Sequence, residues 1–256
     1  MFSTNHFIWL AICAVLIAVF TVYLNRTKPS LKDVLSVCCV VCVLSELIKV
    51  FSVIRMVPSS DGSLVYPYIE LNHMPLHLCS IQILIIFYAR FSRKSEFHDA
   101  VLAFMYPTMV LGAIMALAMP SIFSTTVPAS RIFLHPMGYQ FFLYHSMLII
   151  LGLYIYNCGE VDFQPRHYLT TMAFVAVLAF LSLYVNSLLA SPTYVNGKLV
   201  SVDFITNMFF TYRPPIDIAL TEIWHWYLYL AAITLLAVVL VALFFIPVFR
   251  KARKNR

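Results

Sequence analysis

Several polar and ionisable side chains lie inside long apolar stretches of this sequence, where they are expensive to bury. They are Glu46, Lys49, His77, Cys79, Gln82, His145, Asn186 and His225. Each costs about 2.5–3.5 kcal/mol on membrane-insertion scales if charged, so each needs a structural or functional reason. A thiol and an imidazole are the pair from which a covalent catalyst can be built, and Cys79 and His145 are therefore the main candidates for nucleophile and general base.

The stretches that carry these residues are long enough to cross a membrane. The chain is 62% hydrophobic and 11% charged, whereas a soluble domain carries about 25% charged residues. A span needs about 20 apolar residues, and the sequence predicts seven: 7–24, 34–54, 74–91, 100–119, 139–156, 168–190 and 223–249. The expected fold is all-α, a polytopic bundle forming one integral membrane domain over residues 1–256.

The distribution of Lys and Arg predicts the orientation of this bundle. Twelve of the 17 lie in the first, third and fifth connections and the C-terminal tail, and four lie on the other side. Because basic residues are retained in the cytoplasm, the N-terminus is expected outside and the C-terminus inside. The net charge of +6 is thereby explained by orientation, and no nucleic-acid partner is expected.

The depth of the polar residues predicts a single site. At 1.5 Å rise per residue, Cys79, His145 and Glu46 lie about 8–12 Å below the outer surface, and Asn186 and His225 about 5–6 Å below it. Their agreement in depth predicts a buried layer that opens toward the outer leaflet. Because His77 and Cys79 are two residues apart, they point in different directions on a helix, so the base for Cys79 should come from another helix.

Other interpretations remain open for several of these residues. Glu46 and Lys49 could form a structural ion pair, and His225, between two tryptophans, could be an interfacial anchor. Four side chains offer ligands for a zinc hydrolase without its usual spacing: Glu46, His77, His145 and His225. The chain could also be a transporter, a receptor or an assembly factor. The six cysteines indicate no disulfide framework. The long connection 191–222 is expected to be a lid, a cap or a re-entrant segment.

The segment Met74-Pro75-Leu76-His77-Leu78-Cys79-Ser80 resembles the PLHLC signature of the YwaF-like bacterial membrane proteins, a family related to transmembrane protein 164. Three further segments resemble it in order: Phe141–His145, Asn207–Phe210 with Pro214, and Trp224–Tyr227. The second lacks the family's Tyr after Asn, and the third has His in place of Pro.

This resemblance implies lipid acyl chemistry in a bacterial cytoplasmic membrane. The mammalian relative is an acyltransferase with a Cys–His pair, and the more distant androgen-induced hydrolases cleave fatty-acid esters with a Thr–His pair. Carried over, Cys79 is the nucleophile and His145 the base. We expect phospholipid and acyl-chain substrates, no metal and no cofactor. His77, Gln82, Asn186 and His225 are predicted to stabilise an oxyanion or position substrate, and Glu46 with Lys49 to support the site.

Overall fold

The computed structural model describes residues 3–120, 122–215 and 218–254, and these residues are mostly helical. Eight helices occur in this part of the chain: α1 Thr4–Thr27, α2 Leu31–Val53, α3 Leu78–Phe91, α4 Glu96–Ala118, α5 Ile122–Thr125, α6 Pro136–Asn157, α7 Arg166–Leu188 and α8 Ile223–Lys254. Six of them, all except α3 and α5, are long and apolar enough to cross a membrane. The all-α, multi-pass fold expected from the sequence is therefore present.

The third predicted span differs from the expectation. The sequence predicted a helix over 74–91, but α3 begins at Leu78 and has only 14 residues. At 1.5 Å per residue it is about 21 Å long, whereas the hydrocarbon core is about 30 Å thick. Pro75 disfavours helical geometry at Met74, but it does not account for the start at Leu78, because proline is favoured at the first position of a helix.

Helix ends are set by side chains that satisfy the first backbone N–H groups. Ser3, Ser30 and Ser95 are the N-caps of α1, α2 and α4, and each accepts a hydrogen bond from the N–H three residues later. His135 caps α6 in the same manner by accepting from Met137 N–H. These caps fix the helix starts that the hydropathy pattern left uncertain by several residues.

Two β-hairpins, which the sequence analysis did not predict, interrupt the helices. β1 Arg55–Pro58 pairs antiparallel with β2 Val65–Tyr68, and β3 Ser191–Val195 pairs with β4 Lys198–Asp203. The second hairpin turns at Asn196-Gly197, both of which have positive φ. Asn-Gly is the strongest local signal for this two-residue turn, so the sequence did contain the information.

The chain divides into two compact units. Unit 1 comprises Met1–Glu70 and Cys79–Asp162, and unit 2 comprises Leu71–Leu78 and Phe163–Arg256. In unit 1, α6 packs against α1, α2 and α4. Gly152 permits the close approach of α4, because a Cβ there would lie 2.8 Å from Val110 Cγ2. In unit 2, α7 packs against α8 and the turn at Met208–Phe210.

Candidate active site

Cys79 is the second residue of α3, so it lies in the first turn of a helix. The first N–H groups of a helix have no partner within it and carry the positive end of the helix dipole. The connection from α3 to α4 contains Arg93 and Lys94 and belongs at a membrane surface. Because α3 is shorter than the hydrocarbon core is thick, we expect its first turn, which carries Cys79, to lie at membrane depth if its last turn lies at that surface.

Tyr144 joins this turn to α6. Its phenol donates a 2.7 Å hydrogen bond to the backbone carbonyl of Cys79. The same ring makes an edge-to-face contact with the imidazole of His145, with 5.5 Å between the ring centroids. One buried tyrosine therefore contacts both the backbone of the candidate nucleophile and the ring of the candidate base, and both residues belong to unit 1.

The imidazole of His145 is buried and has a defined tautomer. Its Nδ1 lies 2.7 Å from the carbonyl oxygen of Phe141, one turn earlier in α6. A carbonyl oxygen can only accept, so Nδ1 carries the proton and, in the neutral ring, Nε2 carries the lone pair. The ring also packs on Phe141, 4.4 Å between centroids. Nε2 is thus the atom that can take a proton from a neighbouring thiol.

Gln82 lies one turn after Cys79 and is fully buried. Its Nε2 donates to Thr108 Oγ1 at 2.9 Å, and that hydroxyl donates to Phe104 O at 2.6 Å. Because Thr108 donates its only hydroxyl proton to Phe104, it must accept from Gln82, so the NH₂ group of Gln82 faces Thr108. The amide oxygen, Oε1, therefore points away from Thr108. This oxygen has no hydrogen-bond partner among the described residues. A buried amide oxygen without a donor is costly, and it points to a hydrogen-bonding group supplied by a ligand.

The polar side chains of α2 lie in unit 1, as do Cys79, Gln82 and His145. Lys49 Nζ is 2.7 Å from Glu46 Oε2, so the two form an ion pair within one helix face. Gln140, one turn before Tyr144, donates to Ser45 Oγ at 2.7 Å. α6 therefore uses one face to hold α2 through Gln140 and α3 through Tyr144, two roles that the sequence analysis missed.

The other predicted site residues lie in unit 2. Asn186 is fully buried, but its amide is saturated: Nδ2 donates to Met208 O and Thr211 Oγ1, and Oδ1 accepts from Thr206 Oγ1 and Met208 N–H, all at 2.9–3.1 Å. It has no donor left for an oxyanion, in contrast to the predicted role. It instead fixes the chain that follows β4 against α7.

His225 and His77 also differ from the expectation. His225 Nδ1 accepts from Glu222 N–H at 3.2 Å, so this imidazole caps the start of α8, and its ring packs on Trp224. His77 immediately precedes α3 and is not part of the helix, so the helical angle used to separate it from Cys79 does not apply.

The described residues contain no group of three or more potential ligands placed to hold a metal, and the zinc alternative has no site there.

The apolar helices define an integral, multi-pass membrane protein with a half-buried thiol, Cys79, and a buried imidazole, His145, in one of its units. A family model described as the TMEM164 family matches residues 1–245. The chain belongs to the TMEM164 family, which confirms the expected relation to transmembrane protein 164, while the relations to the YwaF-like proteins and the androgen-induced hydrolases stay predictions. No curated protein and no solved structure matches it.

Proposed function

We propose that this protein is a membrane-embedded acyltransferase or acyl hydrolase that acts on phospholipid esters through a thioester on Cys79. The observation that carries the proposal is the Tyr144 side chain, which contacts the backbone of Cys79 and the ring of His145. Membership of the TMEM164 family supports it, because the family resemblance implies a Cys–His acyltransferase.

In the first half-reaction, His145 Nε2 takes the thiol proton as Cys79 Sγ attacks the carbonyl carbon of the ester. The carbonyl oxygen becomes an oxyanion, and the N–H groups of the first turn of α3 are the donors that can stabilise it. The carbon–oxygen bond to the lysolipid then breaks, and the leaving oxygen takes the proton back from His145. The acyl group remains on Cys79 as a thioester.

In the second half-reaction, His145 Nε2 removes the proton of an acceptor hydroxyl, and its oxygen attacks the thioester carbon. The carbon–sulfur bond breaks and the thiol is restored. When water is the acceptor, its second proton can be donated to Gln82 Oε1, which has no partner among the described residues. A lysolipid acceptor gives transfer, and water gives hydrolysis.

Reconstituted protein tests this proposal. Purified protein in proteoliposomes is given a phospholipid with a labelled acyl chain and an unlabelled lysophospholipid, and the label is followed by mass spectrometry. The expected result is labelled acyl transfer or release that is lost in Cys79→Ala. Cys39→Ala is the matched control, since Cys39 is a buried cysteine of α2. Equal turnover in both variants contradicts the thioester route.

A further inference from the structure

The hairpin that follows α2 exposes its side chains, although most of them are apolar. No residue of β1 Arg55–Pro58 or β2 Val65–Tyr68 is buried. Met56 is 64% exposed, Val65 55% and Tyr66 53%. A two-stranded hairpin is marginally stable in water by itself, and an exposed apolar patch marks a surface that contacts a partner or a membrane. The hairpin therefore needs a partner that removes these side chains from water.

The register of the two strands divides the side chains between two faces. Cross-strand partners share a face, and neighbours along a strand alternate between faces. One face carries the pairs Met56–Pro67 and Pro58–Val65, and the other carries Arg55–Tyr68 and Val57–Tyr66. We call the first the apolar face, because it has no charged, hydroxyl or amide side chain, and the second the aromatic face. The hairpin is thus amphipathic across its thickness.

The other polar groups of the hairpin are confined to its tip and its base. At the tip, the carboxylate of Asp61 accepts hydrogen bonds from the hydroxyls of Ser59 and Ser63. At the base, Arg55 Nη1 lies 3.2 Å from Glu70 Oε1 in an ion pair. Because these groups satisfy one another, the surface left for a partner is the apolar and tyrosine-bearing part between them.

The connection to α2 holds the hairpin at a membrane surface. α2 is a candidate span that ends at Val53, and only Ile54 separates it from β1. A strand of four residues is about 13 Å long at about 3.3 Å per residue, whereas the interfacial layer is about 5–8 Å deep on each side of the hydrocarbon core. An upright hairpin would carry the apolar residues near its tip beyond that layer into water. A hairpin that lies flat keeps all of them within it.

We propose that the β1–β2 hairpin is a membrane-surface anchor that lies flat on the bilayer beside α2, with its apolar face toward the acyl chains. The tyrosines of the aromatic face then lie at headgroup level, where tyrosine is enriched in membrane proteins. The partner is the lipid surface itself, so the anchor requires no particular headgroup. The hairpin and α2 belong to the same unit, and the inference does not depend on the catalytic proposal.

Photo-crosslinking of the full-length protein in phosphatidylcholine liposomes tests the inference. The photoreactive residue p-benzoylphenylalanine replaces Val65 on the apolar face, Tyr66 on the aromatic face or Ser60 at the exposed tip. After irradiation, the adducts are identified by mass spectrometry. The lipid adduct is expected at Val65 with at least five times the yield at Ser60, and with an intermediate yield at Tyr66.

Three results of this experiment overturn the inference. Equal lipid yields at Val65 and Ser60 show that the apolar face does not lie on the bilayer. A higher lipid yield at Tyr66 than at Val65 reverses the assignment of the faces. A covalent dimer at Val65 in place of a lipid adduct shows that a second copy of the chain covers the hairpin.

Hydrogen exchange of the backbone amides of residues 55–68 in the same liposomes gives a second measurement. A carboxylate on the apolar face is costly to bring against acyl chains, so Val65→Asp is expected to speed this exchange at least tenfold. Ser60→Asp is the matched control, because it places the same charge at the polar tip, and it should leave the exchange of the strands unchanged. Equal exchange rates in the two variants contradict the anchor.

Discussion

The polar centres of the two units differ in how completely their hydrogen bonds are used. In unit 2, all four hydrogen-bonding positions of the buried Asn186 amide are occupied by Thr206, Met208 and Thr211. In unit 1, Gln82 Oε1 has no partner in the described chain and His145 uses only Nδ1 in the hydrogen bond to Phe141. Both centres are buried, but only the centre around Asn186 in unit 2 has all its hydrogen bonds satisfied without a ligand.

This difference separates a structural cluster from a reactive one. A saturated buried network stabilises one conformation and has nothing left to offer a substrate, whereas unused acceptors in an apolar interior carry a cost that a ligand can relieve. Substitutions in unit 1 should therefore change turnover more than stability. Substitution of Asn186 in unit 2 should change stability more than turnover.

The largest effect is expected from His145→Ala. Removal of a general base lowers turnover by about 10²–10⁴-fold. The substitution also removes the hydrogen bond to Phe141 and the ring contacts with Phe141 and Tyr144, so turnover is compared at equal amounts of folded protein. His167→Ala is the matched control, since His167 is also buried but lies in unit 2. Turnover is measured in proteoliposomes. Comparable losses in both variants would remove the distinction between the units.

Asn186→Ala should produce the largest loss of stability. It removes four hydrogen bonds and leaves the buried Met208 N–H without its partner, which costs about 2–3 kcal/mol. The apparent melting temperature should fall by about 5–10 °C, while turnover of the folded fraction at low temperature is unchanged. Asn157→Ala, at an exposed asparagine at the end of α6, should change neither quantity. A selective loss of turnover in Asn186→Ala would contradict its structural role.

Tyr144→Phe should have an intermediate effect. The substitution keeps the aromatic contact with His145 and removes only the hydrogen bond to the Cys79 carbonyl, worth about 1 kcal/mol. Because this bond positions the first turn of α3, we expect turnover to fall about tenfold with substrate affinity little changed. Tyr184→Phe, an exposed tyrosine of α7, is the control. Unchanged kinetics in Tyr144→Phe would show that this contact does not position the nucleophile.

The smallest effect concerns Asp61 in the turn between β1 and β2, outside both centres. Hydrogen bonds from Ser59 and Ser63 lower the pKa of its carboxyl from 3.8 to about 2. A lowered pKa means that the ionised group stabilises the turn above pH 3.8, and that this stability is lost as the pH falls through about 2. An NMR titration of labelled aspartate checks it. A midpoint that does not rise toward 3.8 in Ser59→Ala/Ser63→Ala would rule out these hydrogen bonds as the cause.

The sequence predicted the membrane class and the main candidates, because hydropathy is a local property and motif residues are adjacent in the chain. Cys79 and Gln82 were placed on one helix by their spacing alone. The sequence could not show that the hydrogen-bonding groups of the Asn186 amide are all occupied, because its partners Thr206, Met208 and Thr211 lie some 20 residues away in the chain. Tyr144 was missed for the same reason: its bond to Cys79 crosses 65 positions of the chain. The hairpin at Asn196-Gly197 was predictable from its turn residues and was overlooked.

Detection of the acyl-enzyme tests the central claim most directly. Protein incubated with acyl-labelled phospholipid is digested, and the peptide that contains Cys79 is analysed by mass spectrometry with and without hydroxylamine, which cleaves thioesters. The proposal predicts an acyl mass on Cys79 that hydroxylamine removes, and that is absent from Cys79→Ala. An active protein whose Cys79 peptide never carries an acyl group, under conditions in which lipid is turned over, would contradict it.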